Sequence, residues 1–125
     1  MPLSPESRAV SESQKHVVVL LVKSPEMTQF FLAIRMALAF LSTGARLTLF
    51  VMDDAVLGLL PRNYRDPASF PLAPVLSSGG EILVCQSTAE PRGLLAENLP
   101  RGVSFETQVH LGQLSSEADL FLPFL

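Results

Sequence analysis

The amino-acid sequence predicts a single α/β domain, a parallel sheet of about five strands with helices on both faces. Short apolar runs rich in β-branched and aliphatic residues recur along the chain, and segments with the three-to-four-residue periodicity of helices separate them. Strands that alternate with helices are typical of an α/β sheet. With 125 residues, 48% hydrophobic and 17% charged, the chain can bury one core.

The first fifty residues predict a β-α-β unit. Residues 16–22 form an unbroken apolar run, which is typical of a strand covered on both faces. Ser24-Pro25-Glu26 then combines a capping hydroxyl, a proline and an acid, which favours a helix start. Gly44 is suited to end that helix, and residues 47–51 form the second strand.

The rest of the chain continues the alternation. We expect strands at residues 81–85, 103–105 and 119–125, with helical segments at 72–76, 91–98 and 111–118. Residues 61–74 contain four of the ten prolines and predict an irregular surface excursion. Residues 1–14 are rich in Ser, Glu, Pro and Gln, so we expect a flexible tail followed by one domain over residues 15–125.

The only cysteine, Cys85, ends the third predicted strand. A flavodoxin-like strand order, 2-1-3-4-5, would put strands 1 and 3 side by side at the point where the winding reverses, and ligands bind at such a crevice. The residues predicted to meet there are Cys85, Lys23, Ser24, Gln86, Ser87 and Thr88. A nearby cation or helix N-terminus lowers the pKa of a thiol, but a free cysteine is also often an inert buried hydrophobe. The position alone leaves both readings open.

Composition argues against several other functions. A net charge of -3 with nine scattered Lys+Arg offers no surface for a nucleic-acid backbone. No apolar stretch approaches the ~20 residues of a membrane span. The N-terminus lacks a signal-peptide plan, and a single cysteine does not fit a disulfide scaffold, so a cytoplasmic location is expected.

The chemistry of a cofactor site is also missing from the sequence. One cysteine and two histidines do not make a zinc site within one chain. The loop after the first strand contains no glycine, which argues against flavin or phosphate binding. We therefore expect no cofactor and no metal. Asp53 and Asp54 are expected to begin a helix, and His110 could reach the thiol as a base, although a loop histidine without a role is commoner.

One segment resembles a known family. An apolar strand ending in Cys85, followed seven and eight residues later by Arg92-Gly93, is similar to the cysteine-bearing strand and loop of the DsrE/DsrF-like family of sulfur-relay proteins. The resemblance implies a homo- or hetero-oligomer in which Cys85 accepts sulfane sulfur as a persulfide from a donor protein and passes it to an acceptor protein. It also implies that Arg92 and Gly93 shape the loop, and that the chain could act as a sulfurtransferase.

A second function fits the same fold. The chain could be a non-catalytic binding or assembly module in which Cys85 only fills space. The apolar loops around residues 70–76 would then mediate association, because exposed apolar patches often mark interfaces.

Overall fold

The computed structural model describes residues 14–66 and 69–125, so the predicted tail lies almost entirely outside the described residues. Within them the chain forms one all-parallel sheet of five strands in the order β4-β3-β2-β1-β5. The strands are β1 (His16–Leu21), β2 (Arg46–Val51), β3 (Glu81–Cys85), β4 (Val103–Glu106) and β5 (Leu120–Phe124). The predicted α/β class is confirmed.

Helices cover the two faces unequally. The α-helices of the described residues are α1 (Thr28–Ser42), α2 (Ala73–Ser77), α3 (Gln86–Ala89) and α4 (Gln108–Glu117). Single-turn or longer 3₁₀ segments lie at Asp53–Leu59, Pro61–Asn63, Glu90–Arg92 and Ala96–Asn98. The larger core joins α1 and α2 to one face of the sheet. On the other face α4 buries only Leu114, against a small apolar cluster that includes Cys85.

The predicted strand order is wrong. β1 pairs with β2 and β5, and β2 pairs with β3, so β2 separates the two strands that were expected to be neighbours. From β1 to β4 the chain always steps in the same direction, and only β5 returns to the far side of β1. The burial of β2 explains the difference: every residue after Arg46 is buried, as an interior strand requires, whereas the predicted order made β2 an edge.

Two helix predictions also need correction. The first helix begins at Thr28 rather than at Ser24, because Ser24 and Met27 close a turn in which the Met27 N–H donates to the Ser24 carbonyl at 3.0 Å. The helix predicted over residues 91–98 is two separate 3₁₀ turns. Gly93 stands between them with φ of 91°, a left-handed conformation that interrupts a helix and favours glycine.

The proline-rich excursion is partly interior. Phe70, Leu72 and Val75 are buried in the larger core, so only part of the predicted association loops is available at the surface. A shallow groove of ≈ 770 Å³ runs beside them, lined by residues that include Pro71, Leu76 and Arg101. This groove does not include Cys85. Among the described residues, no helix is long and apolar enough to cross a membrane.

Candidate functional site around Cys85

Cys85 is the last residue of β3 and lies opposite Glu106 of β4 in the sheet register. Its side chain is on the face covered by α4, where it packs with Phe50, Leu83 and Leu114. The residue is fully buried. The predicted position at the carboxyl end of a strand is therefore observed, and the thiol is covered in this conformation.

Polar groups from two segments contact the sulfur. The Ser87 hydroxyl lies 3.2 Å from Cys85 Sγ, and Gln108 Nε2 donates to the same sulfur at 3.5 Å. Thr88 also favours the charged form of the thiol, and its hydroxyl donates to the Cys85 carbonyl at 3.4 Å. Ser87 and Thr88 follow Cys85 directly in the chain, whereas Gln108 is the first residue of α4. The sulfur is thus bounded by apolar side chains on one side and by hydrogen-bond donors on the other.

These donors favour the thiolate. Burial on its own raises the pKa of the Cys85 thiol, but the hydrogen bonds from Ser87, Thr88 and Gln108 outweigh burial and lower the pKa below its ordinary value. Hydrogen bonds to the charged form stabilise that form. Because the thiolate is the nucleophile in sulfur chemistry, the arrangement suits Cys85 to attack another sulfur.

A second set of contacts fixes the turn that carries these donors. The Thr88 hydroxyl accepts the Asp53 N–H at 3.0 Å, and Arg92 Nη1 donates to the Thr88 carbonyl at 3.0 Å. Arg92 also pairs with Asp54, Nη2 to Oδ1, at 3.2 Å. The segment after β3 is therefore tied to the segment after β2. Asp53 itself has φ of 53°, a left-handed conformation that aspartate tolerates better than most residues.

Only some of the predicted site residues contact one another. Cys85, Ser87, Thr88 and Arg92 form one connected set. Gln86 is exposed and donates to Glu90 at 3.4 Å, so its side-chain hydrogen bond leads away from the sulfur.

Lys23 and Ser24 follow β1, which β2 separates from β3. The strand adjacency that was to bring them beside Cys85 does not exist. The turn they enter lies near a different connection, where Pro25 and Gly58 line one cleft.

Gln108 is the contact that the sequence prediction missed. It follows β4, the neighbour of β3, so the same reasoning that considered His110 could have identified it. Thr107 caps α4 by accepting the His110 N–H at 3.2 Å, and the side chain that contacts the sulfur is that of the first helical residue, Gln108. Among the described residues there is no cluster of three His, Cys, Asp or Glu side chains that could hold a metal ion.

Comparison with solved structures supports the fold. The ychN protein from E. coli superposes with a TM-score of 0.73 at 25% identity, covering 87% of this chain and 98% of that one. A protein of unknown function, MTH1491 from Methanobacterium thermoautotrophicum, gives a TM-score of 0.72 at 15% identity, with coverage of 87% and 98%. BT1422 from Bacteroides thetaiotaomicron, also of unknown function, gives 0.66 at 18% identity, with coverage of 90% and 97%.

Family comparison covers nearly the whole chain. No curated protein matches it by sequence. The model of the DsrE/DsrF-like family matches residues 15–124, a range that includes all five strands and every contact described around Cys85. The chain therefore belongs to the DsrE/DsrF-like family.

Proposed function

We propose that the protein is a sulfur carrier of the relay type, in which Cys85 accepts sulfane sulfur as a persulfide and passes it to a partner protein. The observation that carries the proposal is the sulfur of Cys85, held at the end of β3 by donors that lower its pKa. Membership of a family associated with sulfur relay supports the same reading.

The proposed reaction is a thiolate exchange. The Cys85 thiolate supplies an electron pair to the terminal sulfur of a donor persulfide, forming a new S–S bond while the donor S–S bond breaks. The donor leaves with that bond's electron pair as a thiolate, and the transferred sulfur remains on Cys85 as a persulfide. Delivery repeats the exchange with an acceptor thiolate, so no external oxidant or reductant is consumed.

The neighbouring residues have distinct proposed roles. Ser87 and Thr88 stabilise the negative charge on sulfur, and Arg92 positions the turn through Thr88 and Asp54. Gln86, as an exposed residue beside the thiol, is proposed to meet the partner protein. Lys23 and Ser24 have no role in the proposed exchange, since β2 lies between the strand they follow and β3.

The proposed setting follows from the chemistry. A persulfide carrier works where thiols stay reduced, so we assign the protein to the cytoplasm. Its partners would be a donor protein and an acceptor protein, with the chain itself in a homo- or hetero-oligomer.

The proposal can be tested by loading. The protein is incubated with inorganic polysulfide and its intact mass is measured, with Cys85→Ala as the control. The expected result is a population heavier by one sulfur atom that disappears on reduction and is missing in the control. An unmodified chain, under conditions in which iodoacetamide still reaches Cys85, would count against the proposal.

The assembly-module alternative keeps two supporting observations. The groove beside Pro71, Leu76 and Arg101 is apolar and open, and the thiol is buried. That alternative requires Cys85→Ala to leave every interaction of the protein unchanged, whereas the carrier requires Cys85→Ala to abolish sulfur loading.

A further inference from the structure

The cover over Cys85 is thin on its polar side. Cys85 is 0% exposed, yet two side chains that hydrogen-bond its sulfur, Ser87 and Gln108, are themselves exposed. On that side the side chains that contact the sulfur also face solvent. The opposite side is closed by the buried Phe50, Leu83 and Leu114, which cannot move without disturbing the core.

Ser87 and Gln108 differ in how they are held. Ser87 stands two residues after Cys85 in the turn that Thr88 and Arg92 fix. Gln108 comes from α4, whose first turn is capped by Thr107 and anchored by the buried Leu114. Its backbone is therefore fixed, but its exposed side chain is long and can change rotamer on the ps–ns timescale. The contact that it would give up, from an amide to sulfur at 3.5 Å, uses a weak acceptor.

Sulfur transfer imposes a spatial demand at this position. A donor sulfur must approach the Cys85 sulfur along the line of the bond that breaks, and the loaded site must hold one additional sulfur atom. A side chain with no exposed surface provides neither the approach nor the volume. One covering side chain has to move, and of the two exposed donors Gln108 is the longer, so its rotation clears more space beside the sulfur than rotation of the Ser87 hydroxyl does.

We infer that Gln108 is a side-chain gate over Cys85, closed when its amide contacts the sulfur and open when the side chain turns away from it. The biological use of this gate rests on the proposed carrier function. Its physical operation does not, because the gate would control access of any electrophile that approaches the sulfur past Gln108. Gln108 is thus a positioning residue that controls access to the thiol.

The gate is tested by alkylation of Cys85 across a range of pH. Rates are measured with a small reagent, iodoacetamide, and a bulky one, fluorescein maleimide, for the native protein and Gln108→Ala. The limiting alkylation rate at high pH reports how accessible the thiolate is to the reagent. The midpoint of the rate against pH reports the pKa of the thiol. With the gate removed, the limiting rate is expected to rise at least about threefold and more for the bulky reagent, since the reactive fraction increases. The midpoint is expected to move upward because a donor is lost.

Two further variants separate access from hydrogen bonding. Gln108→Met keeps the length of the side chain but lacks the donor, so its midpoint should move upward while its limiting rate stays near the native value. Gln113→Ala, an exposed position later in α4, should change neither quantity.

Unchanged limiting rates in Gln108→Ala with both reagents would overturn the gate, and so would a change in the midpoint alone. If Gln108→Ala exposes the thiol but neither protein accepts sulfur from polysulfide, the gate stands and the carrier function fails. If both proteins accept sulfur at equal rates while alkylation is also equal, the carrier function stands and the gate fails.

Discussion

The proposed chemistry of this protein centres on one sulfur atom and the few donors around it. Cys85, Ser87 and Thr88 could be identified from the sequence because they are consecutive with the end of a strand. Gln108 lies 23 positions away from Cys85 and contacts it only because β4 pairs with β3 and α4 begins directly after β4. Local patterns therefore identified the proposed nucleophile, while the donor that covers it depends on tertiary structure.

Removal of one donor should weaken the stabilisation of the thiolate. In Ser87→Ala the hydroxyl 3.2 Å from Cys85 Sγ is lost, while burial, which raises the pKa, remains. The thiol pKa is therefore expected to be higher than in the native protein, and alkylation at neutral pH slower. The pH dependence of the iodoacetamide rate measures this directly.

A matched control is available for this measurement. Ser116→Ala removes an exposed hydroxyl from α4 that bonds only locally, to the Gln113 carbonyl at 2.9 Å, and should leave the thiol pKa unchanged. A thiol pKa in Ser87→Ala at or below the native value would show that the Ser87 hydroxyl does not stabilise the thiolate.

At the scale of elements, the site depends on the short helix α3 and on the bonds that tie it to the segment after β2. The segments after β2 and β3 are joined by the bonds among Asp53, Thr88, Arg92 and Asp54. Arg92 and Gly93 act on the same turn in different ways. Gly93 takes the left-handed conformation that ends the turn. Arg92, the residue before it, donates a hydrogen bond back to the Thr88 carbonyl in that turn. The arginine was predictable as a loop-shaping residue only through family resemblance. Its partners were not predictable, because an ion pair between two loops leaves no periodic pattern.

The 3₁₀ segment after β2 has a packing requirement at Gly58. A Cβ there would lie 2.6 Å from Cζ of Phe30, whose ring is fully buried. Gly58→Ala is therefore expected to lower the free energy of unfolding by about 1–3 kcal/mol, the usual cost of overpacking. Urea denaturation of the native protein and the variant, with the same m value for both, measures this change in the free energy of unfolding.

Gly112 is the comparison position for the same substitution. It lies in α4, and a Cβ there has no neighbour within 4 Å. Gly112→Ala should raise the free energy of unfolding by about 0.5–1 kcal/mol, because alanine favours the helix. Equal effects of the two substitutions would mean that Phe30 does not restrict the space at Gly58.

At the scale of the whole molecule, the fold class was predictable but the strand order was not. Periodicity and length distinguish strands from helices, and alternation of the two implies a parallel sheet. The order depends on which edge each crossover takes, and a single connection carries no local signal of direction. The buried run of β2 was the available clue to an interior strand. The error moved Lys23 and Ser24 into the site. The omission of Gln108 has another cause, because the predicted order already placed β4 beside β3.

A row of three hydrogen-bonded polar side chains, His16, Thr48 and Glu81, crosses β1, β2 and β3 on the sheet face that α4 covers. The Thr48 hydroxyl donates to Glu81 Oε1 at 3.1 Å and accepts from His16 Nε2 at 2.8 Å. Burial lowers the pKa of His16 from 6.5, and Arg46 adds to that effect, while Glu81, Asp119 and Glu117 oppose it. This row of side chains therefore joins the three strands, and the folded state favours the neutral form of its histidine.

The stability of the fold should depend on pH through His16. With its pKa lower in the folded state, the unfolded chain binds the proton first as pH falls below 6.5. Its stabilising contribution is complete above that pH and is lost as pH falls through the folded pKa. Urea unfolding between pH 8 and pH 5 should show a decline that His16→Gln reduces. The same decline in both proteins would exclude His16 as its source.

The central claim is that Cys85 holds sulfur that can be passed on. The most direct measurement loads the protein with isotopically labelled polysulfide, removes the excess, and adds a small thiol as acceptor. Because Cys85 is the only cysteine, intact mass reports its state without ambiguity. If Cys85 carries sulfur as a persulfide, we expect one labelled sulfur on the loaded chain. The label is released when the acceptor is added, and the chain returns to its unmodified mass. A chain that takes up no label, while iodoacetamide alkylates its Cys85 normally, would contradict the claim.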